Sequence, residues 1–102
     1  MIVVFDKEYL RELYETGKCD KKHRFQPSIV KRYVDRINTL KSKDSVEALY
    51  NMKFLHYEVL KGNKASSIRV NDQYRIEFTV SEDAAEAVIS ICNILELSNH
   101  YK

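Results

Sequence analysis

Proline and glycine are nearly absent: the 102 residues hold one Pro and two Gly. So little of either excludes collagen-like architecture and long flexible linkers. No internal repeat and no low-complexity stretch is present. Cysteine is also scarce. Cys19 and Cys92 lie far apart, with no C-x-x-C spacing and no histidine cluster beside them. A structural zinc site is therefore not expected; a surface thiol and a buried strand thiol in a reducing compartment are. The segment Met1–Asp6 is apolar but too short for a signal core, and it lacks a basic flank. No apolar run nears the ~20 residues of a membrane span. The expectation is one domain over residues 1–102, cytoplasmic, with no membrane partner and no cofactor.

The hydrophobic share is 44 %, ordinary for a folded domain, and the net charge is only +2. The charge is unevenly spread. Between Lys18 and Lys43 nine cations face two carboxylates, Asp20 and Asp35, for a local charge of +7. Acids gather later, at Glu77, Glu82, Asp83 and Glu86. A basic surface on a nearly neutral protein suits a polyanion. A solvated helix face rich in Lys and Arg would carry the same charge.

Periodicity divides the chain into helical and strand-forming parts. Ile2–Phe5 reads as a strand, and Asp6 as the cap of a helix carrying Leu10, Leu13 and Tyr14 on one face. Gly17 suits the position just past that helix. Lys18–Phe25 is a polar basic loop. Pro27 fits a first helical turn. Ile29, Val30, Tyr33, Val34, Ile37 and Leu40 then recur at helical spacing, with Lys31, Arg32, Asp35 and Arg36 mostly outward. Asp44 and Glu47 resemble a capping box opening a short helix through Tyr50.

After Tyr50 the period becomes two. Ser67–Asn71 and Tyr74–Val80 alternate around a turn at Asn71-Asp72-Gln73, which makes a hairpin. Val88–Ser98 is a long β-branched-rich last strand. The predicted fold is α+β, in the order β-α-α-(short α)-β-β-β, with helices packed on one face of a small antiparallel sheet.

Alternation sends Ile68, Val70, Tyr74, Ile76 and Phe78 toward the helices and Arg69, Asn71, Arg75 and Glu77 to the other face. A turn centred on Asp72 puts Arg69 across from Arg75 and Ile68 across from Ile76. Opposed like charges cost about 0.2–1 kcal/mol by analogy with cross-strand pairs. An anion between them removes that cost, and so does an internal carboxylate such as Glu77, Asp72 or Glu96. The planar guanidinium fork suits phosphate oxygens. Lys61 and Lys64, in Leu60-Lys61-Gly62-Asn63-Lys64, add cations near the same edge. The chain closes with Asn99-His100-Tyr101-Lys102, which holds groups able to move or position protons.

Leu60-Lys61-Gly62 followed by Ser67-Ile68-Arg69-Val70-Asn71-Asp72-Gln73-Tyr74-Arg75-Ile76-Glu77-Phe78 resembles the HigB branch of the RelE/ParE toxin superfamily. The family pattern is close to L-K-G, a short gap, then S-I-R-[VI]-N-x-Q-[YW]-R-I-x-F. Glu96–Tyr101 looks like the family ending, usually D-Y-H after a strand. The resemblance implies a RelE-like fold and a ribosome-dependent endoribonuclease that cuts messenger RNA. It also implies a cognate antitoxin, commonly a helix-turn-helix, HigA-like protein through which the complex reaches DNA, and contact with ribosomal RNA. By the resemblance, Lys61, Arg69 and Arg75 hold the scissile phosphate or its flanks, and Asn71 supports them. The family often has His three residues before the Lys of L-K-G; here that residue is Glu58, and the nearest histidine is His56. The terminal order is His100-Tyr101 rather than Tyr-His.

The expected chemistry needs no metal. An RNA 2′-hydroxyl attacks its own adjacent phosphate, a base takes the proton, cations stabilise the oxyanion, and an acid protonates the leaving 5′ oxygen. Arg69 and Arg75 are the expected oxyanion cations, with Lys61 a further contact or a base. His100 shares parity with Glu96 and Ser98 and is the titratable candidate. Tyr101 orients RNA by stacking or through its hydroxyl. Lys64 and His56 are further RNA contacts. The rival readings are a ParE-like toxin acting on DNA gyrase and a non-catalytic module that binds RNA or a partner chain.

Overall fold

A computed structural model describes residues 1–60, 65–83 and 89–99 of the chain. Strand β1 (Ile2–Phe5) leads into helix α1 (Glu8–Thr16), helix α2 (Pro27–Ser42), the short helix α3 (Glu47–Tyr50) and a 3₁₀ turn (Lys53–Leu55). Strands β2 (Glu58–Val59), β3 (Ala65–Arg69), β4 (Arg75–Asp83) and β5 (Ile89–Ser98) follow. The sheet order is β1-β5-β4-β3-β2. β2 through β5 pair antiparallel, while β1 lies parallel to β5, so the first and last strands meet at one edge. The antiparallel hairpin and the order of helices agree with the sequence; the parallel β1–β5 pair and the two-residue β2 are additions.

The helices form where the apolar period predicts. Leu10 and Leu13 on α1, and Ile29, Val30, Tyr33, Ile37 and Leu40 on α2, are buried with Ile68, Ile76, Phe78, Cys92, Ile94 and Leu97 of the sheet and Val70 just past β3. Full burial of each large side chain is worth about 1.5–3 kcal/mol. Pro27 opens α2 in its first turn, where the missing N–H costs nothing. Gly17 closes α1 in the left-handed conformation (φ 73°), its N–H donating to the Leu13 carbonyl.

The two expected caps do not form. Asp6 stays with the strand, because its N–H donates to the Ile94 carbonyl at 2.9 Å; α1 begins past Lys7 with no side-chain cap. Asp44 likewise stands too early: the residue before α3 is Val46, and no side chain caps it.

Strand β5 carries a bulge that serves both faces. Phe78 pairs with Ile94 but Glu77 pairs with Glu96, so Leu95 is the extra residue. The insertion resets the alternation. Ile94 and Leu97 can then both reach the core, while Glu96 and Ser98 share the opposite face with Glu77 and Arg75. Among the described residues, no helix is long and apolar enough to cross a membrane.

Candidate active site

The β3–β4 hairpin has the register read from alternation: Ile68 pairs with Ile76 and Arg69 with Arg75. Its turn is built by Asn71. The Asn71 Oδ1 accepts the Gln73 N–H at 2.9 Å and the Tyr74 N–H at 2.8 Å, while Val70 N–H donates to the Tyr74 carbonyl. Asn71 thus has a structural duty that its expected role at RNA did not include.

The two opposed guanidiniums diverge. Arg69 turns back along the hairpin to Asp72, with 36 % of its side chain exposed. Asp72 is itself 88 % exposed, so this pair is water-screened and easily parted. Arg75 turns the other way and is buried. Its Nε donates to Ser67 Oγ at 2.9 Å, its Nη2 to the His56 and Ser67 carbonyls, and Glu58 Oε2 stands 3.9 Å away. Alternation named the correct face for Arg75 but not its depth. The carboxylate beside it is Glu58, on β2, a strand that the apolar pattern does not reveal.

His56 meets this site through its backbone. It ends the 3₁₀ turn at φ 44°, the one non-glycine residue with positive φ among those described. That left-handed turn aims its carbonyl at Arg75. A bulky residue pays steric strain there. His56 also lines a separate 330 Å³ cleft with Tyr50, Met52 and Tyr57.

Two clefts flank the hairpin turn. The first, of 540 Å³, is lined by Ser28 and Arg32 of α2 and by Arg69, Asn71, Asp72 and Gln73. The second, of 250 Å³, is lined by Lys7, Tyr9, Lys22, His23, Arg24, Phe25, Tyr74, Glu96, Leu97 and Asn99. Within it the Tyr9 and His23 rings stack with centroids 3.6 Å apart and planes within 3°. Asp20 holds the imidazole: its carboxylate accepts from His23 Nδ1 at 3.0 Å and from the Lys22 and His23 backbone N–H groups. The hydrogen bond from His23 lowers the Asp20 pKa. Partial burial raises the Tyr9 phenol, aided by the charges of Glu96 and Asp20. The sequence offered one clue to this cluster, a D-x-x-H spacing in a basic loop.

Arg36 departs from the outward face expected for it. Its Nε donates to the Arg69 carbonyl at 3.0 Å, its guanidinium lies 4.9 Å over the Phe54 ring, and only 14 % of the side chain is exposed. It ties α2 to the end of β3 and so sets the wall of the first cleft. Lys61, Lys64, His100 and Tyr101 lie outside the described residues. Among the described residues, no three His, Cys, Asp or Glu side chains gather as a metal site would require.

A family model, described as a RelE-like toxin of the type II toxin–antitoxin system HigB, matches residues 3–91. No curated protein matches in sequence. A solved structure of a YoeB/ParE toxin from Agrobacterium tumefaciens superposes with a TM-score of 0.57 at 19 % identity, covering 99 % of this chain and 100 % of that one. At that identity the likeness speaks for the shared fold.

Proposed function

The chain belongs to the HigB-like toxin family, and from that premise we propose how it acts. It is the toxin component of a type II toxin–antitoxin system, and its family implies a ribonuclease that cuts messenger RNA. Family membership also implies a cognate antitoxin and an RNA-related target. Our reading is that cleavage occurs on the ribosome, without a metal, by attack of the RNA 2′-hydroxyl on its adjacent phosphorus. The 5′ oxygen leaves with a proton from a general acid, and a 2′,3′-cyclic phosphate remains.

The observation that carries this reading is the pair Arg69–Arg75 at the end of the hairpin. Arg69 stands at a cleft wall beside Arg32 and Asn71, paired among the described residues to an exposed Asp72. Phosphate oxygens can replace that carboxylate at little cost, and the guanidinium fork then holds them in two hydrogen bonds. Arg75 is fixed by Ser67 and the His56 carbonyl, so it supplies a preorganised positive charge that needs no rearrangement as the oxyanion forms. Lys61 adds a further cation, and His100 and Tyr101 supply proton transfer and RNA orientation. The antitoxin is proposed to be of the helix-turn-helix, HigA-like kind, with DNA bound only through it. Asn71 supports the turn, and Lys64 and His56 are peripheral RNA contacts.

A reconstituted translation reaction tests this. The wild-type chain should cleave the message, and Arg69→Ala should reduce cleavage by about 10²-fold or more, the scale of one lost oxyanion donor, with unfolding unchanged within about 0.5 kcal/mol. Arg75→Ala should lose cleavage and also about 1.5–3 kcal/mol of stability, since it strips charge-assisted hydrogen bonds. Intact message with a folded wild-type chain and translating ribosomes would falsify the reading. Inhibition of gyrase supercoiling by the same preparation would replace it.

A further inference from the structure

We infer that the cleft holding the stacked Tyr9–His23 pair is a second RNA subsite, which takes one unpaired base of the strand flanking the cut. This rests on the ribonuclease reading above and extends it beyond the hairpin. Tyr9, in the first turn of α1, is half-buried and backs the imidazole from the loop between α1 and α2. One face of His23 lies on Tyr9, and 39 % of its side chain remains exposed, so the ring is open to a ligand that enters the cleft. Asp20 fixes the ring through Nδ1. A base can therefore stack on the imidazole without first ordering it, which removes an entropic cost of binding.

The charge around the ring supports the same ligand. Lys7, Lys22 and Arg24 line the cleft against one carboxylate, Glu96. Phe25 and Tyr74 meet edge to face, at 5.8 Å between centroids, and close the apolar side. Planar rings set among cations suit single-stranded RNA, where stacking holds bases and cations follow the backbone. An acidic peptide would use the cations but leave the stacked layer idle.

Position joins this cleft to the proposed active site. Tyr74 immediately precedes Arg75, and Asn99 follows Ser98, the strand partner of Arg75. An RNA chain leaving the Arg69–Arg75 end of the hairpin meets the cleft next.

The test uses the whole chain and a fluorescein-labelled 2′-O-methyl oligouridine carrying 4-thiouracil bases, which cannot undergo 2′-hydroxyl attack. Photocrosslinks should map to Tyr9 or His23. His23→Ala should weaken binding about tenfold, the scale of one lost base stack, whereas His23→Phe should stay within about twofold of wild type because its ring still stacks. Arg24→Glu should weaken binding and flatten its salt dependence. The inference is overturned if the wild type does not bind, if crosslinks fall only elsewhere, or if His23→Ala binds as wild type does. It is also overturned if His23→Ala and Arg24→Glu lose the antitoxin but keep the oligonucleotide, which would make the cleft a protein-docking surface. Message cleavage run in parallel separates the two claims. A cleaving wild type with an unaffected His23→Ala sinks the subsite alone; a non-cleaving wild type sinks the proposed function.

Discussion

Cys92 sits fully buried on β5 and donates its S–H to the Met1 sulfur at 3.5 Å, while Cys19 is exposed on the loop after α1. Both placements agree with the sequence reading of one surface and one strand thiol. Burial pushes the Cys92 thiol up to about 11. A thiol reagent at pH 8 should therefore label one cysteine at once and the second only at the rate of unfolding; prompt labelling of both would contradict the burial. Tyr33 poses the related case for a phenol. Its hydroxyl donates to the Leu10 carbonyl at 2.8 Å inside the core, and burial raises its pKa far above the ordinary range. Up to about pH 11 the native chain keeps both protons, while the unfolded chain releases the thiol proton from about pH 9 and the phenol proton from about pH 10. The folded pKa values are raised, so this contribution is full below about pH 9 and is lost above it. Urea unfolding should accordingly show a falling midpoint above pH 9. Tyr33→Phe should cost about 1 kcal/mol at pH 7 and make the decline above pH 10 shallower. The decline should not vanish, because burial also raises Tyr9 and Tyr57. An unchanged slope in Tyr33→Phe would assign the alkaline loss elsewhere.

At the scale of the element, the hairpin was the most legible part of the chain. Period-two alternation fixes which residues share a face, and the Asn-Asp-Gln turn fixes the register, so the Arg69–Arg75 pair is legible in the sequence itself. Three other features left no such signal. Alternation does not encode depth, so the burial of Arg75 depends on Glu58 and His56, which arrive from a separate segment. Strand β2 is too short to show a period. The cap expected at Asp6 failed because Asp6 was claimed by the β1–β5 ladder, a tertiary competitor that local pattern cannot reveal. The turn itself yields a test that separates structure from chemistry. Asn71→Ala removes an acceptor of two backbone N–H groups and should cost about 1 kcal/mol of stability. Asn71→Asp keeps the acceptor but adds a negative charge to the cleft that holds Arg32 and Arg69. It should fold as wild type and cleave message at least tenfold less. Equal activity in a folded Asn71→Asp would mean that the cleft does not meet a phosphate.

Over the whole molecule, the fold converts an uneven charge sequence into a directed surface. The stretch Lys18–Lys43 carries nine cations on a chain whose net charge is +2, so the remainder is net negative. Composition could not say which of the nine are available, because availability depends on contacts distant in sequence. Arg36 is spent on Asp35, the Arg69 carbonyl and the Phe54 ring. Lys41 lies 4.4 Å over the Tyr14 ring, on a helix end that neither hairpin cleft includes. Lys22, Arg24 and Arg32 instead line the two clefts on either side of the hairpin turn, with Lys7 and Arg69. The parallel β1–β5 closure makes this possible, since it brings α1, and with it Tyr9 and Lys7, to the end of the last strand. Binding of single-stranded RNA should then follow counterion release, with about −0.7 in the logarithmic salt slope for each phosphate neutralised. With the five cleft cations engaged, the slope should approach about −3.5 in a potassium chloride titration of oligouridine binding. Arg32→Gln should reduce its magnitude by about 0.7, and Lys41→Gln should leave it unchanged. Equal effects of the two substitutions would mean that RNA senses only overall charge, and the two clefts would lose their claim to be its path.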